Sequence, residues 1–158
     1  MRYFMGIDVG TNETKAVLID EKCEIVAFAS CGHDLLNPQP GFFEHDAEKT
    51  WWGDFCHLSR QLLAESGIDA KDVGCVGLSA LGCDCVPVDA EGTALCNPIL
   101  YGVDSRSHKE IEWLYAYYGK EEAERLYGHE LCSSDIAPKI LWVKNNLPDV
   151  YAKTAKFL

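Results

Sequence analysis

The 158-residue sequence predicts an α/β domain whose mixed sheet opens as a three-strand antiparallel meander with helices packed on it. Three observations predict this. Two apolar runs, Tyr3 to Ile7 and Lys15 to Ile19, flank a tight turn at Val9-Gly10-Thr11-Asn12 and read as a β-hairpin. A third run, Glu24 to Cys31, follows after a short turn and extends the hairpin to a meander. A helical stripe of Trp51, Phe55, Leu58, Leu62 and Leu63 then precedes a fourth apolar segment, Val73 to Leu78. A strand reached through a crossover helix runs parallel to an earlier one, and its unbroken apolar character predicts burial on both faces.

The hairpin tip carries chemistry. It presents a carboxylate, Asp8, then Gly10 and the hydroxyl of Thr11. Gly10 lets the backbone turn sharply, so that its N–H can approach a phosphate closely. Asp8 ends a strand expected to be buried, a poor place for an unpartnered charge. Mg²⁺ is the obvious partner, because it is held through one or two carboxylates plus phosphate oxygens and water. The alternative is an ordinary hairpin closed by an Asx-type turn.

Beyond the meander, Asn37-Pro38-Gln39-Pro40-Gly41 breaks regular structure. Asp46 is placed to cap the helix that follows, and Gly67 to end it. Ser79 to Asp84 reads as a loop and Cys85 to Asp89 as a short segment, with Pro87 marking an edge strand. Pro98 to Tyr101 reads as one more strand. Helices are then expected from Asp104 or Ser105 to Gly119, over Lys120 to Tyr127, and over Ile136 to Asn145, with a further turn at Val150 to Lys153. Ala155 to Leu158 reads as a strand beginning, and the chain is expected to be a piece of a longer one.

Charge and composition narrow the function classes. The chain has 14 Lys+Arg against 25 Asp+Glu, a formal charge of −11, and no basic stripe, which argues against a nucleic-acid partner. No run is long and apolar enough to span a bilayer, so no membrane association is expected. Eight scattered cysteines without a C-x-x-C pair fit a reducing, cytoplasmic setting better than a disulfide scaffold. Trp51, Trp52, Trp113 and Trp142 lie on helical stripes and read as core, and the five histidines, without an i, i+4 pair, do not read as metal ligands.

Three antiparallel strands, a crossover helix and a parallel strand form the βββαβ opening of a ribonuclease-H-like domain, which the actin-like ATPases share. Four patches in order then resemble one family, the FGGY carbohydrate kinases, nearest to its xylulose-kinase-like members. Gly6 to Lys15 resembles the family's first phosphate motif, and Pro40-Gly41-Phe42-Phe43-Glu44-His45-Asp46 with Trp51-Trp52 resembles its Pro-Gly-aromatic segment. Val76-Gly77-Leu78-Ser79 resembles the strand before its substrate loop. Asp89 to Gly92 with Pro98 to Arg106 resembles its Asp-x-x-Gly and Asp-x-Arg stretch.

The resemblance implies a role for each of several residues. Asp8 would approach Mg²⁺ through water, Gly10, Thr11 and Asn12 would line the phosphates of ATP, and Lys15 would steady the transferring group. Gly82, Cys83, Asp84, Tyr101 and Asp104 would belong to the sugar site. The substrate loop departs from the family's usual patterns, since Leu81-Gly82-Cys83 stands where xylulose kinases carry Gln-Met-His and glycerol kinases Gln-Arg-Glu. Tyr101 either stacks on a sugar face or serves as a core aromatic. Asp104 either contacts the sugar, or caps a helix and pairs with Arg106. The chain would be the amino-terminal domain over residues 1–158, with the catalytic aspartate and a second, ATP-binding domain beyond it, and inactive alone. A small-molecule sugar or polyol is the expected partner, and a homodimer of the full-length enzyme is a further one. Two other classes compete: a metal-dependent nuclease using Asp8, which the net charge disfavours, and an actin-like nucleotide-binding regulatory module.

Overall fold

The computed structural model describes residues 2–158. The chain forms two compact units, one of residues up to Leu35 with Asp46–Leu81, the other of Leu36–His45 with Gly82–Leu158.

The first unit holds a four-stranded sheet in the order β3-β2-β1-β4. Strands β1 (Tyr3–Val9), β2 (Glu13–Ile19) and β3 (Ile25–Gly32) form the antiparallel meander. β4 (Val73–Ala80) runs parallel to β1, as the crossover predicts. The crossover begins with a π-helical turn, Ala47–Trp52, and continues as α1 (Gly53–Ser66). Asp46 accepts from the Lys49 N–H at its start, which holds the Asp46 carboxyl below its ordinary range. Gly67 takes the left-handed conformation at its end (φ 68°) and donates its N–H to Leu63.

Period-two alternation sorts the hairpin. Met5, Ile7 and Val9 of β1, with Ala16 and Leu18 of β2, face inward, where Leu58 and Leu62 of α1 complete the core. Asp8 and Lys15 project to the opposite face. Asp8 is therefore exposed, and the argument that burial demands a counter-charge for it is corrected. β4 also departs from expectation. It pairs only with β1 among the described residues, and Val76 (47%) and Leu78 (64%) are exposed rather than buried. Its apolar run reads as a two-sided interior strand, but α1 packs chiefly against β2 and β3.

The second unit contains β5 (Pro87–Val88), α2 (His108–Tyr118), α3 (Lys120–Tyr127), α4 (Ile136–Asn146), α5 (Pro148–Lys153) and β6 (Lys156–Phe157). β5 and β6 pair antiparallel, so Pro87 does sit in a two-stranded ribbon. Pro98 to Tyr101 forms no strand. Ile99 makes isolated bridges to Cys85 and Glu44 instead. Helix α2 begins after Ser107 rather than at Asp104 or Ser105, because the Asp104 carboxylate is taken up by Arg106. Cys85, Ile99 and Val143 make one core cluster, and Leu114, Ala123 and Leu131 another.

Two tryptophans leave the core. Trp52 is exposed and stacks on Phe55, and Trp113 is exposed and stacks on Tyr117, each pair three or four residues apart along a helix. Trp51 and Trp142 pack against the cores as expected. All eight cysteines are free thiols. Among the described residues, no helix is long and apolar enough to cross a membrane.

Two outcomes test this packing. Leu58 is fully buried under the sheet, so Leu58→Ala is expected to lower unfolding free energy by about 3 kcal/mol, read by chemical denaturation. Burial pushes the Cys85 thiol up to about 12 and the Cys31 thiol up to about 11. In the native protein at about pH 8, alkylation is expected to reach the exposed Cys23, Cys75, Cys83 and Cys132 first, and Cys85 only after unfolding.

Candidate functional site

The candidate residues fall into two groups, one in each unit. The first surrounds the β1–β2 turn. Register places Asp8 opposite Lys15 on β2 and beside Ser79 on β4. One step along, Gly6 and Gly77 stand side by side. These residues line a groove of about 420 Å³ on the open face of the sheet, with Val17, Phe28 and Leu78 among its apolar walls. Lys15 bonds Glu13 at 2.8 Å, which holds its ammonium above the ordinary lysine range, and the charge of Asp8 acts in the same direction.

The turn itself is tightly closed. The Gly10 N–H donates to the Glu13 carbonyl at 3.0 Å. That amide is therefore spent within the hairpin and does not point at a phosphate in this conformation, contrary to the sequence reading. Glycine is required for another reason: a Cβ here would sit 2.9 Å from the Glu13 carbonyl oxygen. Thr11 is half-buried and Asn12 exposed at the tip.

Beneath the turn lies a cluster that the sequence reading missed. His33 Nδ1 lies 2.8 Å from Asp54 Oδ2, and the Thr14 hydroxyl donates to the same oxygen at 2.8 Å. His33 Nε2 lies 3.0 Å from the Gly10 carbonyl oxygen. No local signal marks it, because its members come from β2, the end of β3 and α1.

The second group gathers Gly82, Cys83, Asp84, Tyr101 and Asp104. Gly82 and Cys83 are exposed, and Cys83 has a left-handed backbone (φ 60°), uncommon for a residue with a side chain. Its carbonyl accepts the Lys139 ammonium at 2.7 Å. Lys139 is fully buried, one turn before Val143 on the core face of α4. Burial pushes its ammonium below the ordinary lysine range, and Asp84 acts in the opposite sense. Asp84 is buried too, and desolvation raises its carboxyl above the usual range. One oxygen accepts the Tyr101 N–H at 2.7 Å, and the other has no hydrogen-bond partner among the described residues. Tyr101 is exposed and is not a core aromatic. A lysine at helical spacing within an apolar stripe was the available sign of Lys139.

Of the two roles left open for Asp104, the structure shows the pairing. Its Oδ1 lies 3.0 Å from Arg106 Nε, its Oδ2 lies 2.8 Å from the Arg106 terminal nitrogen, and Oδ2 also accepts the Phe43 N–H. Arg106 further donates to Glu44 at 2.9 Å and lies over the rings of Phe42 (4.1 Å) and Trp142 (5.0 Å). Elsewhere in the unit, His129, Cys132 and Asp135 bring their side-chain donor atoms within 4.8 Å of one another in an exposed loop.

Comparison with known proteins decides the family. Residues 3–158 match the pattern of the FGGY family of carbohydrate kinases, N-terminal domain. The chain belongs to this family. Its curated relatives include a xylulose kinase of Bacillus subtilis (strain 168), 27% identical across all of this chain and 31% of the relative. Glycerol kinase 1 of Saccharolobus solfataricus is 29% identical over 98% of this chain and 30% of its own length. Among solved structures, a "xyloylose kinase" from Brucella ovis superposes with a TM-score of 0.88 at 29% identity, covering 99% of this chain and 32% of that one. A xylulose kinase from Rhodospirillum rubrum gives 0.83 at 27%, covering 99% and 32%. The chain thus spans about a third of the length of the relatives it matches. The fold is the ribonuclease-H-like fold of the actin-like ATPases. Within this FGGY domain, the Pro-Gly-aromatic-x-Glu and Asp-x-Arg patches meet in one ion pair, Glu44 with Arg106.

The coupling between the two buried charges, Asp84 and Lys139, can be tested by a double-mutant cycle. Lys139→Met leaves the Cys83 carbonyl without its donor and is expected to destabilise by about 3 kcal/mol. Combined with Asp84→Asn, the total loss is expected to fall short of the sum of the single losses by at least about 1 kcal/mol in denaturation experiments. Strict additivity would show that the two charges do not interact.

Proposed function

We propose that this chain works as the amino-terminal domain of an ATP-dependent kinase that phosphorylates a hydroxyl of a small sugar or polyol, with a xylulose-like ketose as the leading substrate. The observation that carries this reading is the family match over residues 3–158, which includes the turn bearing Asp8 and Lys15. The xylulose and glycerol kinases among its relatives support the substrate class.

The donor set fits a magnesium–nucleotide complex. An exposed carboxylate, Asp8, lies in register with an ammonium, Lys15, and a hydroxyl, Ser79, along a groove floored by Gly6 and Gly77. One carboxylate and one hydroxyl on an accessible groove suit a hard cation that keeps several waters, and the glycines leave room for bulky phosphates. Asp8 would hold Mg²⁺ through water, and the ion when bound neutralises phosphate charge. Lys15 places a positive charge where the γ-phosphoryl leaves ADP and joins the substrate oxygen. Thr11 and Asn12 border the phosphates from the turn.

The transfer breaks the bond between the γ-phosphorus and the β,γ-bridging oxygen and forms one to the sugar oxygen, whose proton passes to a general base. No acid of this chain is assigned that part, because Asp104 is committed to Arg106 and Asp8 to the metal. We place the base, and the second ATP-binding domain, outside these residues. The exposed Tyr101, Gly82 and Cys83 contribute to the sugar side, with Asp84 acting through the Tyr101 amide.

A second reading, an actin-like regulatory module that turns over nucleotide without a sugar, shares the same hairpin. ADP release by the complete gene product separates the two, measured with MgATP and a panel of pentuloses, hexuloses, pentitols and glycerol. The kinase reading expects turnover that requires one of these compounds and falls by at least about 100-fold in Asp8→Asn. Turnover indifferent to all of them would favour the regulatory module.

A further inference from the structure

His33 stands where β3 leaves the sheet, and its side chain is only 6% exposed. It touches the phosphate turn twice. Its main-chain N–H donates to the Asn12 carbonyl at 3.0 Å, and ring Nε2 lies 3.0 Å from the Gly10 carbonyl oxygen. Ring Nδ1 lies 2.8 Å from Asp54 Oδ2. A carbonyl oxygen and a carboxylate oxygen are both acceptors. A ring nitrogen that carries a hydrogen donates it to the oxygen it faces.

Asp54 enters from the first turn of α1, and its carboxylate also accepts the Thr14 hydroxyl of β2. The Cys31 thiol of β3, next to the same carboxylate, is held in its neutral form by burial first and by Asp54 second. The negative charge facing His33 is thus that of Asp54, which ties together β2, β3 and α1. Through His33 that anchor extends to the two carbonyls that bracket Thr11.

We infer that His33 is a positioning residue that, lodged between Asp54 and the Gly10 carbonyl, fixes the Gly10–Asn12 turn in the shape that receives the nucleotide phosphates. The inference rests on the kinase reading above. It assigns His33 no contact with the nucleotide. With the Gly10 amide bonded to Glu13 and its carbonyl to His33, both polar groups of that peptide segment are fixed before any ligand arrives.

Two substitutions separate the two ring bonds. The amide nitrogen of Gln reaches the place of Nε2, and that of Asn the place of Nδ1. His33→Gln therefore retains the grip on Gly10, and His33→Asn retains only the link to Asp54. Expected for His33→Asn is a roughly ten-fold rise in KM for MgATP with KM for the sugar unchanged. His33→Gln is expected to stay within about three-fold of wild type. Independently of any ligand, the amide NMR signals of the Gly10–Asn12 turn are expected to move in His33→Asn and to stay near their wild-type positions in His33→Gln. Unmoved turn signals in His33→Asn overturn the inference. So does an unchanged KM for MgATP in His33→Asn, or a loss that strikes both substrates equally along with thermal stability. Turn signals that move in His33→Asn while the wild-type protein binds no MgATP fail the kinase reading, and the positioning role falls with it.

Discussion

The guanidinium of Arg106 is only 4% exposed, and a permanent charge can lie that deep only if its donors and its faces are both occupied. Asp104 meets it along one edge, and the terminal nitrogen on that edge also donates to Glu44. Phe42 and Trp142 lie over it. Each partner is fixed in turn. Asp104 Oδ2 binds the Phe43 N–H, Glu44 binds Asn97, and the Glu44 backbone bridges to Leu36 and Ile99. The second unit is organised by this requirement: segments with little regular structure, 36–45 and 97–107, are held in place by what one buried cation must touch. Gly41 shows how tight the arrangement is, since at φ 81° a Cβ would come 2.5 Å from the Ser105 hydroxyl oxygen.

This explains why two patches distant in sequence read as a single family signature. The Pro-Gly-aromatic-x-Glu segment supplies the ring and the carboxylate, and the Asp-x-Arg segment supplies the cation and its second counter-charge. They are halves of one ion-pair cluster. Asp104, a candidate sugar contact in the sequence, is buried here and paired with Arg106.

The meander, the crossover helix and the parallel strand were legible because each rests on local pattern: alternation for the strands, three- and four-residue spacing for α1, Asp46 and Gly67 for its ends. The exposure of β4 was not legible, because composition records what a strand tolerates and not what lies over it. Asp8 was correctly placed on the hairpin, but the reason given for its partner was wrong, since alternation turns it away from the core that Ile7 and Val9 fill. The site's hidden supports escaped for a different reason. Lys139 reads as a surface residue until its helical phase is compared with that of Val143. The His33–Asp54–Thr14 cluster has no sequence spacing at all, being assembled by the packing of α1 on the sheet.

The parallel pairing of β1 with β4 carries a kinetic consequence. The meander joins neighbours in sequence, and hairpin contacts of that kind form within microseconds. β4 reaches β1 only after the whole crossover has been accommodated, and the entropy of closing that loop is lost before any pairing bond compensates it. β4 is thus expected to join the sheet after the meander. The glycine-floored groove beside Asp8 exists only while Gly77 and Ser79 are seated against Gly6 and Asp8. A ligand bridging the two strands would slow unfolding by holding that late-formed seam closed.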